Sequence, residues 1–157
     1  MLKRSSKIDE TKILRLDVGC STNKQKGWCG MDKRRLPGVD IVHDAQKFPW
    51  PLATSSCFQV LLSHLYEHIE PKYRIDLMDE IWRILRPDGQ LLLTSPYAFS
   101  HGAFQDPTHY PCPTEATFTY FDPDCGLYQV YKPKPWKLIQ NNFRMGGNVE
   151  IIMEPRK

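Results

Sequence analysis

The stretch Leu16-Asp17-Val18-Gly19-Cys20-Ser21 constrains this chain more than any other. The run from Ile13 to Val18 is short and apolar, which predicts a buried strand. It stops on Gly19, where a backbone free of a side chain turns sharply and approaches a ligand closely. A second acid, Asp32, ends a weaker strand predicted over 28–32. Carboxylates at such strand ends accept the hydroxyls of a ribose. Taken singly, Asp17 reads equally well as a turn cap and Asp32 as a solvated strand end.

The pattern continues as alternating strands and crossovers. A third strand is expected over 39–42, set off by the Pro37-Gly38 turn. Residues 58–63 are almost continuously apolar, as a strand covered on both faces should be. A helix is expected from Pro71, a residue favoured at the first helical position. Ile75, Met78, Ile81, Trp82 and Leu85 recur there at helical spacing, and Pro87-Asp88-Gly89 is expected to end it. A strand over 90–95 follows. This alternation predicts an α/β fold with a mostly parallel, wound sheet. Two late segments, 137–143 and 148–153, have the composition of paired antiparallel edge strands joined at Met145-Gly146-Gly147. Between them and the sheet lies 97–135, rich in proline and aromatics, with at most one short helix expected at 114–121. It is too short to carry its own core. It reads as a lid or acceptor-side wall within one domain spanning 1–157, whose first dozen residues are polar and read as loose.

Composition narrows the setting. Of 157 residues, 41% are hydrophobic and 25% charged, a globular balance. No apolar run approaches the roughly 18 residues needed to cross a membrane. The basic start lacks an apolar stretch of the secretory type, and the five cysteines, an odd number, suit a reducing compartment. The expectation is a cytoplasmic protein. The net charge of +3 is small and Lys33-Arg34-Arg35 and Lys132, Lys134 and Lys137 are only local clusters, so charge does not decide the partner; a small molecule is expected, with nucleic acid or protein as alternatives.

Four stretches, taken in order, give the chain a sharper identity: Asp17-Val18-Gly19-Cys20-Ser21, Gly30-Met31-Asp32, the run from Phe58 through Ser63-His64-Leu65-Tyr66-Glu67-His68, and the run from Ile81 through Pro87-Asp88-Gly89 to Leu93. Together they resemble the class I S-adenosylmethionine-dependent methyltransferases, in particular a small branch with a Ser-His-x-x-Glu-His element after the fourth strand. The resemblance implies a Rossmann-like fold and S-adenosylmethionine as cofactor. It implies Gly19 against the methionine part, with Asp17 and the backbone near Ser21 receiving its ammonium or carboxylate. Asp32 would hold the ribose and Asp44 the adenine amine, while Ser63 and His64 would floor the site beneath the transferable methyl. The chain departs from the family pattern twice. Ser21 stands where a second glycine is usual. Only Thr22 to Gly27 separates the turn from the next strand, so the first helix must shrink to a turn or vanish.

His64, Asp106 and His109 are the candidates for the chemistry. Asp106-Pro107-Thr108-His109 recurs among relatives of this branch, and a histidine beside a carboxylate can orient or deprotonate an acceptor. The alternative is an Asx turn with His109 packed as an aromatic. His64-Leu65-Tyr66-Glu67-His68 also matches H-x-x-E-H, a zinc peptidase pattern. It follows a buried strand and stops at Pro71 with no evident third ligand on a later helix, so no metal is assigned. His68 reads as a cap or a wall beside the acceptor. Tyr97, Tyr110, Phe118, Tyr120 and Phe121 read as core, and Cys20 as a small buried residue. The expected function is methyl transfer to an unidentified acceptor. The alternatives are a cofactor-binding subunit without turnover and, more remotely, a dinucleotide dehydrogenase, for which the three-glycine fingerprint is missing.

Overall fold

The structure, a computed structural model, describes residues 14–157. The N-terminal segment 1–12 read above as loose lies outside the described residues. Seven strands make one sheet: β1 (Leu14–Val18), β2 (Cys29–Asp32), β3 (Ile41–Val42), β4 (Cys57–Ser63), β5 (Leu85–Pro96), β6 (Trp136–Phe143) and β7 (Asn148–Pro155). Their order is β3-β2-β1-β4-β5-β7-β6. The first five run parallel, and β7 runs antiparallel between β5 and β6. This is the expected α/β class with its antiparallel C-terminal pair. Of that pair only β6 is an edge strand; β7 is internal. The chain steps outward from β1 to β2 and β3, then returns to β4 on the other side of β1. Strand order therefore reverses between β1 and β4, the place where open α/β sheets form a ligand crevice.

Paired residues share a face, so the register lays out the core. Leu16, Val60, Leu91 and Met153 form one row across β1, β4, β5 and β7, and Val18, Leu62, Leu93 and Ile151 form the next. All eight are essentially inaccessible to solvent. Helix α1 (Arg74–Ile84) adds Leu77, Met78, Ile81 and Ile84 to the same cluster. The opposite face differs from the expectation of a sheet covered on both sides. Leu61, Leu92 and Ile152 are only partly buried. The reason lies in the crossovers. Among the described residues α1 is the one α-helix longer than five residues, and 19–28 joins β1 to β2 by turns alone. The lost first helix anticipated from the short spacing is thus a feature of the fold. The parallel pair closes instead through the backbone, with the Gly19 and Cys20 N–H groups both donating to the Met31 carbonyl at 2.7 and 3.3 Å.

Other boundaries moved. Pro71 opens a 3₁₀ turn, Pro71–Tyr73, before α1 begins at Arg74. Pro87-Asp88-Gly89 does not terminate the helix. Leu85 is already extended and pairs with Cys57, while Gln59 pairs with Gln90, so 86–89 bulges out of β5. The bulge is clasped by Arg86, whose Nε and Nη2 reach the two Asp88 carboxylate oxygens at 2.9 and 3.0 Å. Within 97–135 lie α2 (His101–Gln105) and two 3₁₀ turns, Thr117–Phe121 and Gly126–Val130, where at most one short helix was expected. Five-residue pieces are too short to show a helical period. Tyr97, Phe118 and Phe121 are buried as predicted for core, Tyr120 is partly buried, and Tyr110 is exposed. No helix among the described residues is long and apolar enough to cross a membrane.

Candidate functional site

A cavity of about 660 Å³ opens at the carboxyl ends of β1 to β4, a size within the common range of ligand sites. Asp17, Gly19, Ser21, Asp32, Asp44, Ser63 and His64 all line it, so the fold gathers in one place the seven residues expected at a cofactor. Asp106 and His109 are not among its walls. They sit on the segment after β5 and meet the cavity's rim through His68, which does line it.

The bend after β1 is built as its sequence predicts. Gly19 has φ +72°, and a Cβ there would fall 2.8 Å from the Leu65 Cδ1. Ser21, where a glycine is usual, is itself left-handed, with φ 48°. The backbone thus keeps a glycine-like shape although the residue is a serine, at a cost of roughly 1–2 kcal/mol. Ser21→Gly is therefore expected to stabilise the fold by about 0.5–1 kcal/mol once the added freedom of the unfolded glycine is deducted. A rise in the urea midpoint with unchanged slope would show it. A fall would mean that the Ser21 side chain contributes more than its backbone strain costs.

Three carboxylates face the cavity in different states. Asp17 is 4% exposed and accepts the Gln25 N–H at 2.9 Å; burial pushes its pKa up, partly countered by that N–H and by Lys24. Asp32 is 5% exposed and accepts the Ser21 N–H at 3.0 Å and the Arg34 N–H at 2.9 Å. The Arg34 guanidinium adds Nε at 3.1 Å and Nη2 at 3.4 Å. Burial alone would raise this carboxyl; Arg34 and the backbone donors outweigh it and hold it below the usual aspartate range. Asp44 accepts the Gln46 N–H at 3.0 Å, an Asx turn that leaves the rest of its carboxylate toward the cavity wall.

The Ser-His-x-x-Glu-His element is not helical at its start. Ser63 ends β4, His64 is left-handed with φ 52°, and Tyr66–His68 is a single 3₁₀ turn. His64 and His68 therefore do not share the face of an α-helix, as a zinc peptidase pair would. Instead His64 Nδ1 lies 3.1 Å from Glu67 Oε1. Glu67 is 1% exposed, and its hydrogen bond raises the His64 pKa against the opposing effect of burial. The later segment docks onto this turn: the Tyr110 N–H donates to the Glu67 carbonyl at 2.9 Å, and Arg74 Nη1 donates to the Pro111 carbonyl at 2.8 Å. Asp106 accepts from the Thr108 N–H and hydroxyl at 2.8 and 2.7 Å, the Asx-turn alternative, and its Oδ2 lies 3.8 Å from His109 Nε2. The Asx turn of the alternative reading is present, with His109 beside it. Sequence reasoning missed Arg34, Gln25 and the partnership of Glu67 with His64. The last was legible in the i, i+3 spacing, but only for a reader who knew that a 3₁₀ turn stood there.

No family model matches the chain, and no curated protein is similar to it in sequence. Its fold is shared with solved structures. A SAM-dependent methyltransferase from Archaeoglobus fulgidus is 18% identical with TM-score 0.67, over 92% of this chain and 88% of that one. One from Aquifex aeolicus is 11% identical with TM-score 0.61, over 91% and 83%. The Burkholderia thailandensis 1,6-didemethyltoxoflavin-N1-methyltransferase, with its acceptor and S-adenosylhomocysteine bound, is 12% identical with TM-score 0.63, over 93% and 72%. At such identities the likeness is one of fold.

Proposed function

We propose, taking the class I methyltransferase fold as premise, that the chain binds S-adenosylmethionine in the cavity at the β1–β4 switch point and transfers its methyl group to a small-molecule acceptor. The observation that carries this reading is the convergence of seven separately anticipated residues on one cavity in a fold of the right strand order. The cavity fits such a ligand. It offers carboxylates at both ends for an ammonium and a ribose, and a glycine bend that leaves backbone bare against the ligand. The small-molecule acceptor of the Burkholderia relative supports that part of the proposal.

The cofactor supplies a positively charged sulfonium and its leaving group, so the protein's task is mainly alignment and exclusion of water. Asp17 and the backbone at 19–21 receive the amino-acid end, Asp32 the ribose, and Asp44 the adenine amine. Ser63 and His64 stand under the reacting centre. When the nucleophile is a hydroxyl, His64 takes its proton, and Glu67 fixes the imidazole so that Nε2 is the free nitrogen.

Arg34 occupies the face of Asp32 that a ribose would need, and its own side chain is 57% exposed. With its guanidinium in solvent, such an ion pair is worth little. Arg34→Ala is expected to tighten S-adenosylhomocysteine binding a few-fold by calorimetry; weaker binding would make Arg34 a ligand contact instead of a competitor. The reading as a whole is tested by calorimetry with S-adenosylhomocysteine and by product formation across alcohol, amine, nucleic-acid and protein acceptors. Micromolar binding with turnover on one small acceptor is expected. No binding at all would overturn the proposal. Binding without turnover on any acceptor would favour a cofactor-binding subunit, a reading that the helix-free first crossover motivates.

A further inference from the structure

Beside the cavity three side chains converge that the cofactor reading does not use together. Glu67, His68 and His109 each present a donor atom, and those atoms lie within 4.8 Å of one another. Two of them are orphans. Glu67 Oε2 and His109 Nδ1 are both buried with no hydrogen-bond partner, in side chains only 1% and 8% exposed. A buried carboxylate oxygen beside an imidazole nitrogen, each unsatisfied, costs free energy unless something lies between them.

We infer that Glu67, His68 and His109 bind one divalent transition-metal ion of the zinc class. Two imidazoles and one carboxylate are the donor set of catalytic zinc sites, whereas magnesium and calcium prefer oxygen alone. Bonds of about 2.1 Å put tetrahedral donors about 3.4 Å apart, so donors that now lie within 4.8 Å close by up to about 1.4 Å on binding.

Outer partners already select the correct atoms, as metal sites require. Glu67 Oε1 is taken by His64 Nδ1 at 3.1 Å, leaving Oε2 free. Thr108 Oγ1 lies 3.3 Å from His68 Nδ1, leaving Nε2. Asp106 Oδ2 sits 3.8 Å from His109 Nε2, near enough for charge attraction but too far for a hydrogen bond, and Nδ1 is the orphaned atom. The His68 and His109 rings meet edge to face with centroids 4.7 Å apart, and the Tyr110 N–H bond to the Glu67 carbonyl fixes the loop that delivers His109. Three protein ligands leave at least one coordination position for water or for an acceptor oxygen, and a hydroxyl held there loses its proton more readily. Asp106 and His109, set apart from the cavity walls, thereby gain a role at its rim. This is also why H-x-x-E-H misleads as a linear motif here: its first histidine braces the glutamate, and the third ligand comes from forty residues downstream in the 97–135 segment.

The test uses chelator-stripped protein and zinc chloride in calorimetry, with cobalt(II) as a spectroscopic stand-in. One ion per chain is expected, with cobalt giving d–d bands and no thiolate charge-transfer band. His109→Ala and His68→Ala should each weaken zinc at least tenfold while an unchanged circular dichroism spectrum and cooperative urea unfolding report that the fold is intact; His68, the more exposed, serves if His109→Ala does not fold. Absence of saturable binding to the unaltered chain would overturn the inference. So would a thiolate band, which would move the ion to cysteines, or unchanged affinity in a folded variant. In the unaltered chain, S-adenosylhomocysteine binding without zinc binding counts against this site alone, and zinc binding without S-adenosylhomocysteine binding counts against the cofactor reading alone.

Discussion

Asp32→Ala is expected to weaken S-adenosylhomocysteine binding by about 1–3 kcal/mol, roughly five- to 150-fold, measured by calorimetry. The carboxylate is nearly inaccessible, so what it holds is held at low local dielectric, where a charge-assisted hydrogen bond keeps much of its strength. It also ties two backbone donors, the N–H of Ser21 and of Arg34, and so shapes the bend proposed to face the cofactor's amino-acid end. Asp32→Asn separates the two contributions. The amide keeps an oxygen for one backbone donor but loses the charge, and it should recover stability more than affinity. Full affinity in a folded Asp32→Ala variant would remove the ribose assignment. pH gives an independent check. The carboxyl is held below the usual aspartate range in the folded state. Its contribution to stability is thus fully present above the ordinary aspartate pKa and is lost only as pH falls through the depressed folded value. The alanine variant should lose that acid-side sensitivity.

The cavity walls were legible because they rest on rules that act along the chain. A strand that ends on glycine, an acid at the next strand end and a serine-histidine pair after a buried run each have a local cause, and parallel pairing brings their ends together without further information. Even the missing first helix could be read, from six residues where ten are needed. The partnerships were not legible. Arg34 closes on Asp32 from two residues away, an exposed side chain on a buried acid, one of many placements of similar energy open to it. Glu67 faces His64 only because Tyr66–His68 forms a 3₁₀ turn after a left-handed histidine, and no sequence period announces that. His109 approaches Glu67 and His68 across about forty residues that include α1 and β5, a tertiary fact set by the docking of Tyr110 and Pro111. The same holds for 86–89. Proline and glycine normally end a helix, but the helix had already stopped at Ile84, and the turn residues went into a bulge of β5.

Glu80→Ala should cost about 2–4 kcal/mol of stability, below the full penalty for a wholly buried pair because Arg83 keeps 29% exposure. Glu80 is 7% exposed and sits at the centre of a closed network. Its Oε1 accepts the Trp50 N–H at 2.6 Å, and Arg83 reaches both oxygens, Nη2 to Oε1 at 2.6 Å and Nε to Oε2 at 2.9 Å. Arg83 then donates to the Leu52 carbonyl at 2.9 Å, and the Trp50 indole N–H donates to the Ala45 carbonyl at 3.2 Å. The network thus fastens α1 to the loop that carries Asp44, Ala45 and Gln46 into the cavity wall. Removal of the carboxylate leaves a backbone N–H and a guanidinium without their partner and frees that wall. Chemical denaturation should therefore report the stability loss, and calorimetry a weaker S-adenosylhomocysteine complex even where the variant is fully folded. Glu80→Gln keeps an acceptor for the Trp50 N–H while giving up the ion pair, so it should fall between the two. Burial alone would raise the Glu80 pKa; Arg83 and the Trp50 N–H outweigh it and hold it low. Its stabilisation is present above the ordinary glutamate range and fades as pH drops through the lowered folded value, so the gap between unaltered chain and Glu80→Ala should narrow in acid. A gap that stays constant across that range would mean that packing, and not the charge, joins α1 to that cavity wall.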